Sequence, residues 1–265
     1  MSFAKILSWR WLFLGVFFVA TSPLMADDTK KPQMRICVEG AYPPFSYISP
    51  EGEIVGFDID IALTLCDELG YECTLISTGW EAMVPSLNSM RCDAIIASMS
   101  LTKEREKIMS FTEPYLITPS SFVGLKKASW IDTPEGLEDV IIGVQKGTVA
   151  HAYLEERYPL SRLKLYRTQL NAEDDLIAGR VDLIFTDLIQ AKASFLKSPK
   201  GKSFEIIGRE HYDDELLGRG SAIAIRKGEL ELVEKFNKAL STIHQNGIYQ
   251  KINEKYFDFD IYVEN

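Results

Sequence analysis

The chain has 265 residues, a net charge of −9 and hydrophobic residues at 46% of its positions. That length and composition suffice for one large or two medium globular domains. The acidic balance argues against a nucleic-acid partner, because nucleic acid requires a basic face.

The first 26 residues have the pattern of a secretory signal peptide. Lys5 and Arg10 give a positive start, Trp11–Ala20 is an uncharged apolar run, and Ala26 offers a small residue at a cleavage position. A membrane anchor is the weaker alternative, because the uncharged stretch 11–26 is shorter than the roughly 20 residues of a spanning helix. We therefore predict a leader over residues 1–26 and a soluble, exported protein after it.

The chain after the leader alternates strand-like runs with amphipathic helical runs. The predicted strands are Arg35–Glu39, Cys73–Ser77, Asp93–Ser98, Ile141–Val144 and Val181–Thr186. The predicted helices are Ile59–Leu69, Trp80–Asn88, Val149–Arg157, Asn171–Ala178, Leu188–Leu196 and Leu230–Gln245. This alternation predicts parallel sheets with helices on both faces.

One plan occurs twice: helix, turn, basic residue, aspartate, strand and polar tip. The two copies are "LNSMRCDAIIASMS" and "LIAGRVDLIFTDLI". The repeat predicts two α/β lobes, and ligands of such sheets gather beyond the carboxyl ends of the strands. The polar residues expected there are Ser98, Ser100, Gly147, Thr148 and Asp187.

Four cysteines are available for disulfides if the protein is exported to an oxidising compartment. Cys66 and Cys73 bracket the end of a predicted helix and could close a small loop. Cys37 and Cys92 lie in strand-like surroundings and are either free and buried or paired. A zinc site is disfavoured, because the spacing has no CxxC and the histidines are not clustered near the cysteines. No metal or other cofactor is expected.

The segment Ala97–Glu106, "ASMSLTKERE", follows an apolar run and combines hydroxyls with a guanidinium. One interpretation is local: Thr102 caps a helix, and Arg105 pairs with Glu106 or solvent. The other is an anion site, because the first turn of a helix has unpaired N–H groups and a positive dipole end. In that interpretation Arg105 supplies a fork for a carboxylate and Ser100 a nearby hydroxyl.

Five segments occur in an order that is typical of a known family. They are "YPPFSYISPEGEIVGFDIDIALTLCDELG", "VPSLNSMRCDAIIASMSLTKEREKIMSFTEPY", "IGVQKGT", "AGRVDLIFTD" and "NGIYQKINEKYFDFDIY". Together they resemble the periplasmic polar amino-acid-binding proteins of ABC importers, in the branch for lysine/arginine/ornithine, histidine or arginine.

The resemblance implies the type II periplasmic-binding-protein fold. This α/β fold has two lobes, each a mostly parallel sheet flanked by helices. The first lobe would comprise residues 27–117 and 220–265, and the second residues 118–219. The two hinge crossings would lie near Ile117–Ser121 and Tyr212–Gly220. The spacing of Cys66 and Cys73 resembles a disulfide of the same branch.

The resemblance also implies an amino-acid site made of Glu39, Tyr42, Trp80, Ser98, Ser100, Arg105, Gln145, Thr148 and Asp187. Arg105 and Ser100 would hold the carboxylate and amine of the ligand's head group, and Gly147 and Thr148 could donate backbone amides to it. Asp187 would meet the ammonium, although an N-cap is a common role for aspartate there.

The remaining positions would surround the ligand's side chain. Glu39 would face a distal cation, with a solvated loop charge as the alternative. Tyr42 and Trp80 would sandwich the side chain, with core packing as the alternative. Related proteins often carry polar residues where this chain has Ala97, Val149 and Ala150, so the resemblance does not decide among the basic amino acids.

The expected function is capture of a polar, basic amino acid in the periplasm, arginine first and then lysine, ornithine or histidine. A monomer would deliver the ligand to a membrane permease by lobe closure and would not be an enzyme. One alternative is a neutral polar ligand such as glutamine. Another is a cyclohexadienyl dehydratase-like enzyme on the same scaffold, with Glu39 as its acid–base group.

Overall fold

The structure is a computed structural model that describes residues 31–262. The predicted signal peptide, residues 1–26, lies outside the described residues. The strands are β1 (Gln33–Val38), β2 (Ala41–Tyr42), β3 (Ser46–Ile48), β4 (Ile54–Val55), β5 (Glu72–Ser77), β6 (Ala94–Ile95), β7 (Met109–Leu116), β8 (Ser120–Leu125), β9 (Ile141–Gln145), β10 (Arg162–Tyr166), β11 (Leu183–Asp187), β12 (Phe204–His211) and β13 (Ser221–Arg226). The helices are α1 (Phe57–Glu68), α2 (Trp80–Asn88), α3 (Lys103–Glu106), α4 (Val149–Arg157), α5 (Gln169–Ile177), α6 (Leu188–Gln190), α7 (Leu230–Gln245) and α8 (Ile248–Tyr256).

Two five-stranded sheets form the centres of two lobes. The first sheet has the strand order β5-β1-β6-β13-β7, and the second has the order β10-β9-β11-β8-β12. In each sheet the first three strands pair in parallel, and the fourth is antiparallel to both of its neighbours. All strands but one in each sheet therefore run in the same direction, which confirms the predicted fold class. Strands β2, β3 and β4 form a small separate sheet.

The chain passes from one sheet to the other twice. It leaves the first sheet after Leu116 and joins the second at Ser120, and it returns between His211 and Ser221. Both passages overlap the crossings predicted from the sequence. Gly220 has a φ of +115°, and a Cβ there would lie 2.8 Å from the Leu116 carbonyl oxygen. Glycine therefore lets the two crossing segments lie side by side.

Each sheet buries its own apolar core. Around the first sheet, helices α1, α7 and α8 enclose an aromatic cluster that includes Phe57, Tyr115 and Tyr249. Around the second, Phe122 and Phe185 pack with ring centroids 4.7 Å apart. The two cores have no residue in common, although Ile189 of α6, which follows β11 of the second sheet, packs into the first core.

The predicted elements match the structure best where an amphipathic helix lies on a sheet. Helices α2, α4 and α7 have the bounds predicted from the sequence. The predicted helix Leu188–Leu196 instead consists of α6 followed by a π-helical turn, Ala191–Phe195. The predicted strand Asp93–Ser98 is reduced to Ala94–Ile95, and Ser98 is excluded from it by a left-handed φ of +47° that a strand cannot contain.

Both pairs of cysteines are disulfide-bonded. The predicted bridge Cys66–Cys73 is present, with its Cα atoms 6.0 Å apart. Cys37 and Cys92, whose pairing the sequence left open, also form a bridge, with a Cα separation of 5.8 Å. This second bridge ties β1 to the turn before β6. Within residues 31–262, no helix has the length and apolar character needed to cross a bilayer.

Candidate ligand-binding site

A cleft pocket lies at the carboxyl ends of strands from both sheets. All nine residues predicted for the amino-acid site line it: Glu39, Tyr42, Trp80, Ser98, Ser100, Arg105, Gln145, Thr148 and Asp187. The apolar positions Ala97, Val149 and Ala150 line it as well. In residues 31–262, no cluster of three or more histidine, cysteine, aspartate or glutamate side chains could hold a metal ion.

Arg105 occupies the end of the pocket formed by the first lobe. It lies in the short helix α3, where the Thr102 hydroxyl accepts a hydrogen bond from the Arg105 N–H at 3.2 Å. The Arg105 Nη1 donates to the Ser100 carbonyl oxygen at 2.9 Å, and the guanidinium lies 5.3 Å from the centre of the Trp80 ring. Burial removes water from the guanidinium and lowers the pKa of Arg105 to about 10. No carboxylate among the described residues forms an ion pair with it, so the guanidinium can accept an anionic ligand.

The predicted cap and the predicted anion site are therefore compatible. Thr102 caps the helix, as the local interpretation requires. The Arg105 side chain, however, does not pair with Glu106, which lies near Arg219 instead, at 3.6 Å. The cap fixes the backbone of Arg105, and the Ser100 carbonyl and the Trp80 ring fix its side chain.

Ser98 is held by a buried carboxylate that the sequence analysis missed. The Ser98 N–H donates to the Tyr115 hydroxyl at 3.0 Å, and its own hydroxyl donates to Asp58 at 2.9 Å. Tyr115 also donates to Asp58, at 2.8 Å. Asp58 is fully buried, and burial raises its pKa to about 6. The Ser98 hydroxyl proton is therefore directed away from the pocket.

Asp187 is both an N-cap and a wall of the pocket. Its Oδ1 accepts the Gln190 N–H at 2.8 Å at the start of α6. Burial raises its pKa to about 7, against the opposing effect of hydrogen bonds from the Gln190 and Ile189 amides. A cation at this carboxylate would restore the ionised form that burial disfavours.

Glu39 is a buried group rather than a solvated loop charge. It is 8% exposed, and its Oε1 accepts a hydrogen bond from Gln145 Nε2 at 2.6 Å. Burial raises its pKa to about 7, the Gln145 hydrogen bond lowers it, and the charge of Asp58 raises it further. One oxygen of Glu39 is thus engaged by the second lobe, and no lysine, arginine or histidine within residues 31–262 forms an ion pair with this carboxylate.

The turn after β9 brings Thr148 to the pocket and places Gly147 beside Trp80. Thr148 lines the pocket and caps α4, because its hydroxyl accepts the His151 N–H at 3.2 Å. The expectation that the Gly147 amide donates to a ligand stays a prediction. The Gly147 N–H donates to His151 Nδ1 at 3.4 Å, and its carbonyl accepts from Trp80 Nε1 at 3.0 Å.

Further pocket residues were not predicted. They come from the crossings and from the walls between the predicted positions: Thr118, Ser120, Gln169, Phe185, Thr186, Leu217, Gly220 and Ser221. Thr118, Ser120, Leu217 and Gly220 fall inside the predicted crossing segments, so their position in the sequence was a usable signal. Gln169 carries no pattern that separates it from surface or core residues.

The charged groups that line the pocket are two carboxylates and one guanidinium. Glu39 and Asp187 carry the carboxylates, and Arg105 carries the guanidinium. The pocket therefore has one negative charge in excess when both acids are ionised. A ligand that compensates every group must bring one anionic and two cationic centres, because a buried charge without a partner is costly.

Comparison with known proteins finds similar sequences and folds among amino-acid-binding proteins. The sequence profile of the bacterial extracellular solute-binding proteins, family 3, matches residues 34–259. The L-arginine-binding protein of Pseudomonas aeruginosa is 37% identical over 254 residues, which cover 95% of this chain and 98% of that protein. The histidine-binding periplasmic protein of Escherichia coli is 36% identical over 253 residues, covering 95% and 97%. An ancestral arginine-binding protein, solved with arginine and with glutamine, is 32% identical and has a TM-score of 0.79, covering 86% of this chain and 99% of that one.

Proposed function

Because this chain belongs to the bacterial extracellular solute-binding proteins of family 3, we propose that it captures a basic amino acid in the periplasm. Arginine is the first choice, and lysine, ornithine and histidine follow. The protein would act as a monomer and pass the ligand to the permease of an ABC importer. The names of its relatives support this class of ligand.

The charge count of the pocket is the observation that carries the proposal. An α-amino acid brings a carboxylate for Arg105 and an ammonium for Asp187. A neutral amino acid would leave Glu39 without a cation, whereas a basic side chain supplies one. The excess negative charge of the pocket is therefore the complement of a basic amino acid.

The head group would be held from both lobes. Arg105 follows β6 of the first sheet, and Asp187 ends β11 of the second. Each lobe alone compensates one half of the zwitterion, so both charges are paired only when the cleft is closed. The ligand then binds the closed arrangement more tightly than the open one, and this difference is what drives closure.

The side chain of the ligand would lie between aromatic rings and end at Glu39. Trp80 and Tyr42 both line the pocket, and burial raises the pKa of the Tyr42 phenol well above its usual value. Tyr42 is therefore neutral at physiological pH and offers a ring face and a hydroxyl. A guanidinium or ammonium against such faces gains roughly 1–2 kcal/mol once it is desolvated.

A ligand panel tests the proposal. Thermal shift with L-arginine, L-lysine, L-ornithine, L-histidine, L-glutamine and L-citrulline should give the largest stabilisation for arginine, because a ligand that binds only the folded state raises its apparent stability. Citrulline has nearly the shape of arginine without its charge, so it isolates the contribution of Glu39. Calorimetry that found glutamine or citrulline to bind as tightly as arginine would contradict the basic-ligand proposal and favour the neutral alternative.

A further inference from the structure

Two dipeptides meet across the outer edge of the cleft. Trp80 and Glu81 begin α2, and Lys146 and Gly147 follow β9. The Lys146 ammonium lies 2.9 Å from Glu81 Oε1, and Trp80 Nε1 lies 3.0 Å from the Gly147 carbonyl oxygen. The contact therefore combines an ion pair with a side-chain-to-backbone hydrogen bond.

Each dipeptide is fixed to its own lobe. Helix α2 is anchored by the buried side chains Met83 and Leu87 in a core cluster with β6 and β13. The Lys146 N–H donates to the Tyr166 carbonyl oxygen at 2.8 Å, which extends the pairing of β9 with β10. Because each dipeptide moves with its own lobe, their contact forms only when the two lobes are close together.

The ion pair of this contact adjoins the ligand pocket without being part of it. Glu81 and Lys146 do not line the pocket, and their side chains are 52% and 54% exposed. Trp80, by contrast, lies under the Arg105 guanidinium. A change at Glu81 or Lys146 can therefore alter lobe closure while leaving every ligand-lining side chain in place.

We propose that Glu81 and Lys146 form a latch that sets ligand affinity by favouring the closed cleft. The identity of the ligand rests on the function proposed above, whereas the latch itself concerns the two lobes. A contact made only in the closed arrangement shifts the equilibrium between open and closed protein, and the apparent affinity follows the closed fraction. For a half-exposed pair, the effect expected on the dissociation constant is roughly two- to five-fold.

Charge-reversal variants distinguish a latch from a long-range electrostatic effect of the two residues on the ligand. Glu81→Lys places two cations at the contact, and Lys146→Glu places two anions there. If the residues acted only through their field on a cationic ligand, Glu81→Lys would weaken L-arginine binding and Lys146→Glu would strengthen it. The latch predicts that both single variants weaken binding and release arginine faster, and that the double reversal restores wild-type values.

Calorimetry and stopped-flow release of L-arginine measure these effects. Glu231→Lys is the matched control, because Glu231 forms an exposed pair with Lys235 on α7 and the substitution changes the net charge equally. The dissociation constant of Glu231→Lys for L-arginine should equal that of the wild type. A double reversal that stays as weak as the single variants, or a Lys146→Glu that binds arginine more tightly, would overturn the latch.

Small-angle scattering of the ligand-free proteins tests the latch independently of the ligand. Both single reversals should have a larger radius of gyration than the wild type, and the double reversal should return to it. Identical scattering from all four proteins would refute the latch even if arginine binds. Different scattering together with no binding of any amino acid would support the latch and count against the proposed function.

Discussion

Gln145 Nε2 lies 2.6 Å from Glu39 Oε1, so a side chain that ends a strand of the second sheet bonds directly to a buried carboxylate beside the first. The same Nε2 lies 3.3 Å from the Arg167 carbonyl oxygen, which holds the amide in place. One oxygen of Glu39 is thereby oriented, and we propose that the other meets the ligand's distal cation.

Glu39→Gln removes the negative charge and nearly preserves the shape. We expect arginine to lose roughly 30-fold or more in affinity, because removing one partner of a desolvated ion pair costs about 2 kcal/mol or more. The affinity for citrulline should change only a few-fold. Isothermal calorimetry with both ligands measures the difference, and the exposed substitution Glu51→Gln is the control. Equal losses for arginine and citrulline would show that Glu39 does not face the distal cation.

Arg105→Ala removes the fork proposed to hold the ligand carboxylate. Loss of one partner of a buried charge pair costs roughly 3–5 kcal/mol, so arginine affinity should fall about 10²- to 10³-fold or more. The fold should persist, because Arg105 lies at a cleft and not in a core. Arg105→Lys should recover part of the affinity, since an ammonium keeps the charge without the fork.

Scattering provides the second measurement on Arg105. Wild-type protein should become more compact with arginine, and Arg105→Ala should not do so at the same ligand concentration. Arg162→Ala, an exposed arginine beside Asp139, is the control. If Arg105→Ala binds arginine and closes like the wild type, the carboxylate is held elsewhere.

Arginine binding should release protons near neutral pH. Burial raises the pKa of Glu39 and of Asp187 to about 7, so both are partly protonated in the ligand-free protein at that pH. The cations of the ligand favour the ionised carboxylates. Affinity for arginine should therefore increase as the pH rises from about 5 to about 8. Calorimetry in buffers of different ionisation enthalpy counts the protons, and Asp187→Asn and Glu39→Gln should each reduce that count.

The same carboxylates give the ligand-free protein a defined dependence of stability on pH. Their folded-state pKa values lie above those of the unfolded chain, so their contribution is fully present below about pH 4 and is lost as the pH rises through about 7. Denaturant titration at pH 5 and pH 8 should show a decrease in this contribution at pH 8. Glu39→Gln should make the difference in unfolding free energy between pH 5 and pH 8 smaller. A larger difference in that variant would contradict the raised pKa of Glu39.

The two disulfides should contribute unequally to stability. Cys37 and Cys92 are 55 residues apart, whereas Cys66 and Cys73 are 7 apart. The chain-entropy model gives about 4 kcal/mol for the longer loop and about 2–3 kcal/mol for the shorter one. Replacing each pair with alanine and measuring unfolding in urea should reproduce that order. Non-reducing peptide mapping of exported protein should find both bridges, and free thiols at Cys66 and Cys73 would contradict the pairing.

Sequence patterns predicted the helices of the fold better than some of its strands. Helix α7 has a clear apolar face and a glycine after its end, so its bounds followed directly. Strand β7 contains Pro114, which argues against a strand in the middle of a sheet. Pro114 is nevertheless compatible with β7, because this strand lies at the edge of the first sheet.

Residues of the candidate site could be predicted where the residue type and its position in a helix or strand together indicate a role. Arg105 near a helix start and Asp187 at a strand end carry such signals. Asp58 does not, because an aspartate in the first turn of a helix normally interacts with the helix dipole in solvent. Only the fold shows that Asp58 is buried beside Ser98 and Tyr115. The disulfide Cys37–Cys92 was likewise undecidable, since its residues meet only after β1 and β6 pair.

The position of β13 has a consequence for how the chain becomes a folded protein. This strand lies between β6 and β7, although more than a hundred residues separate it from them along the chain. All strands of the second sheet are contiguous in sequence, from Ser120 to His211. A chain that emerges from its amino end can therefore finish the second sheet while the first still has a gap between β6 and β7. Because contacts between distant parts of the chain form slowly, β6 and β7 have unpaired edges until residue 226 is available, and the first lobe is open to chaperones and proteases until then.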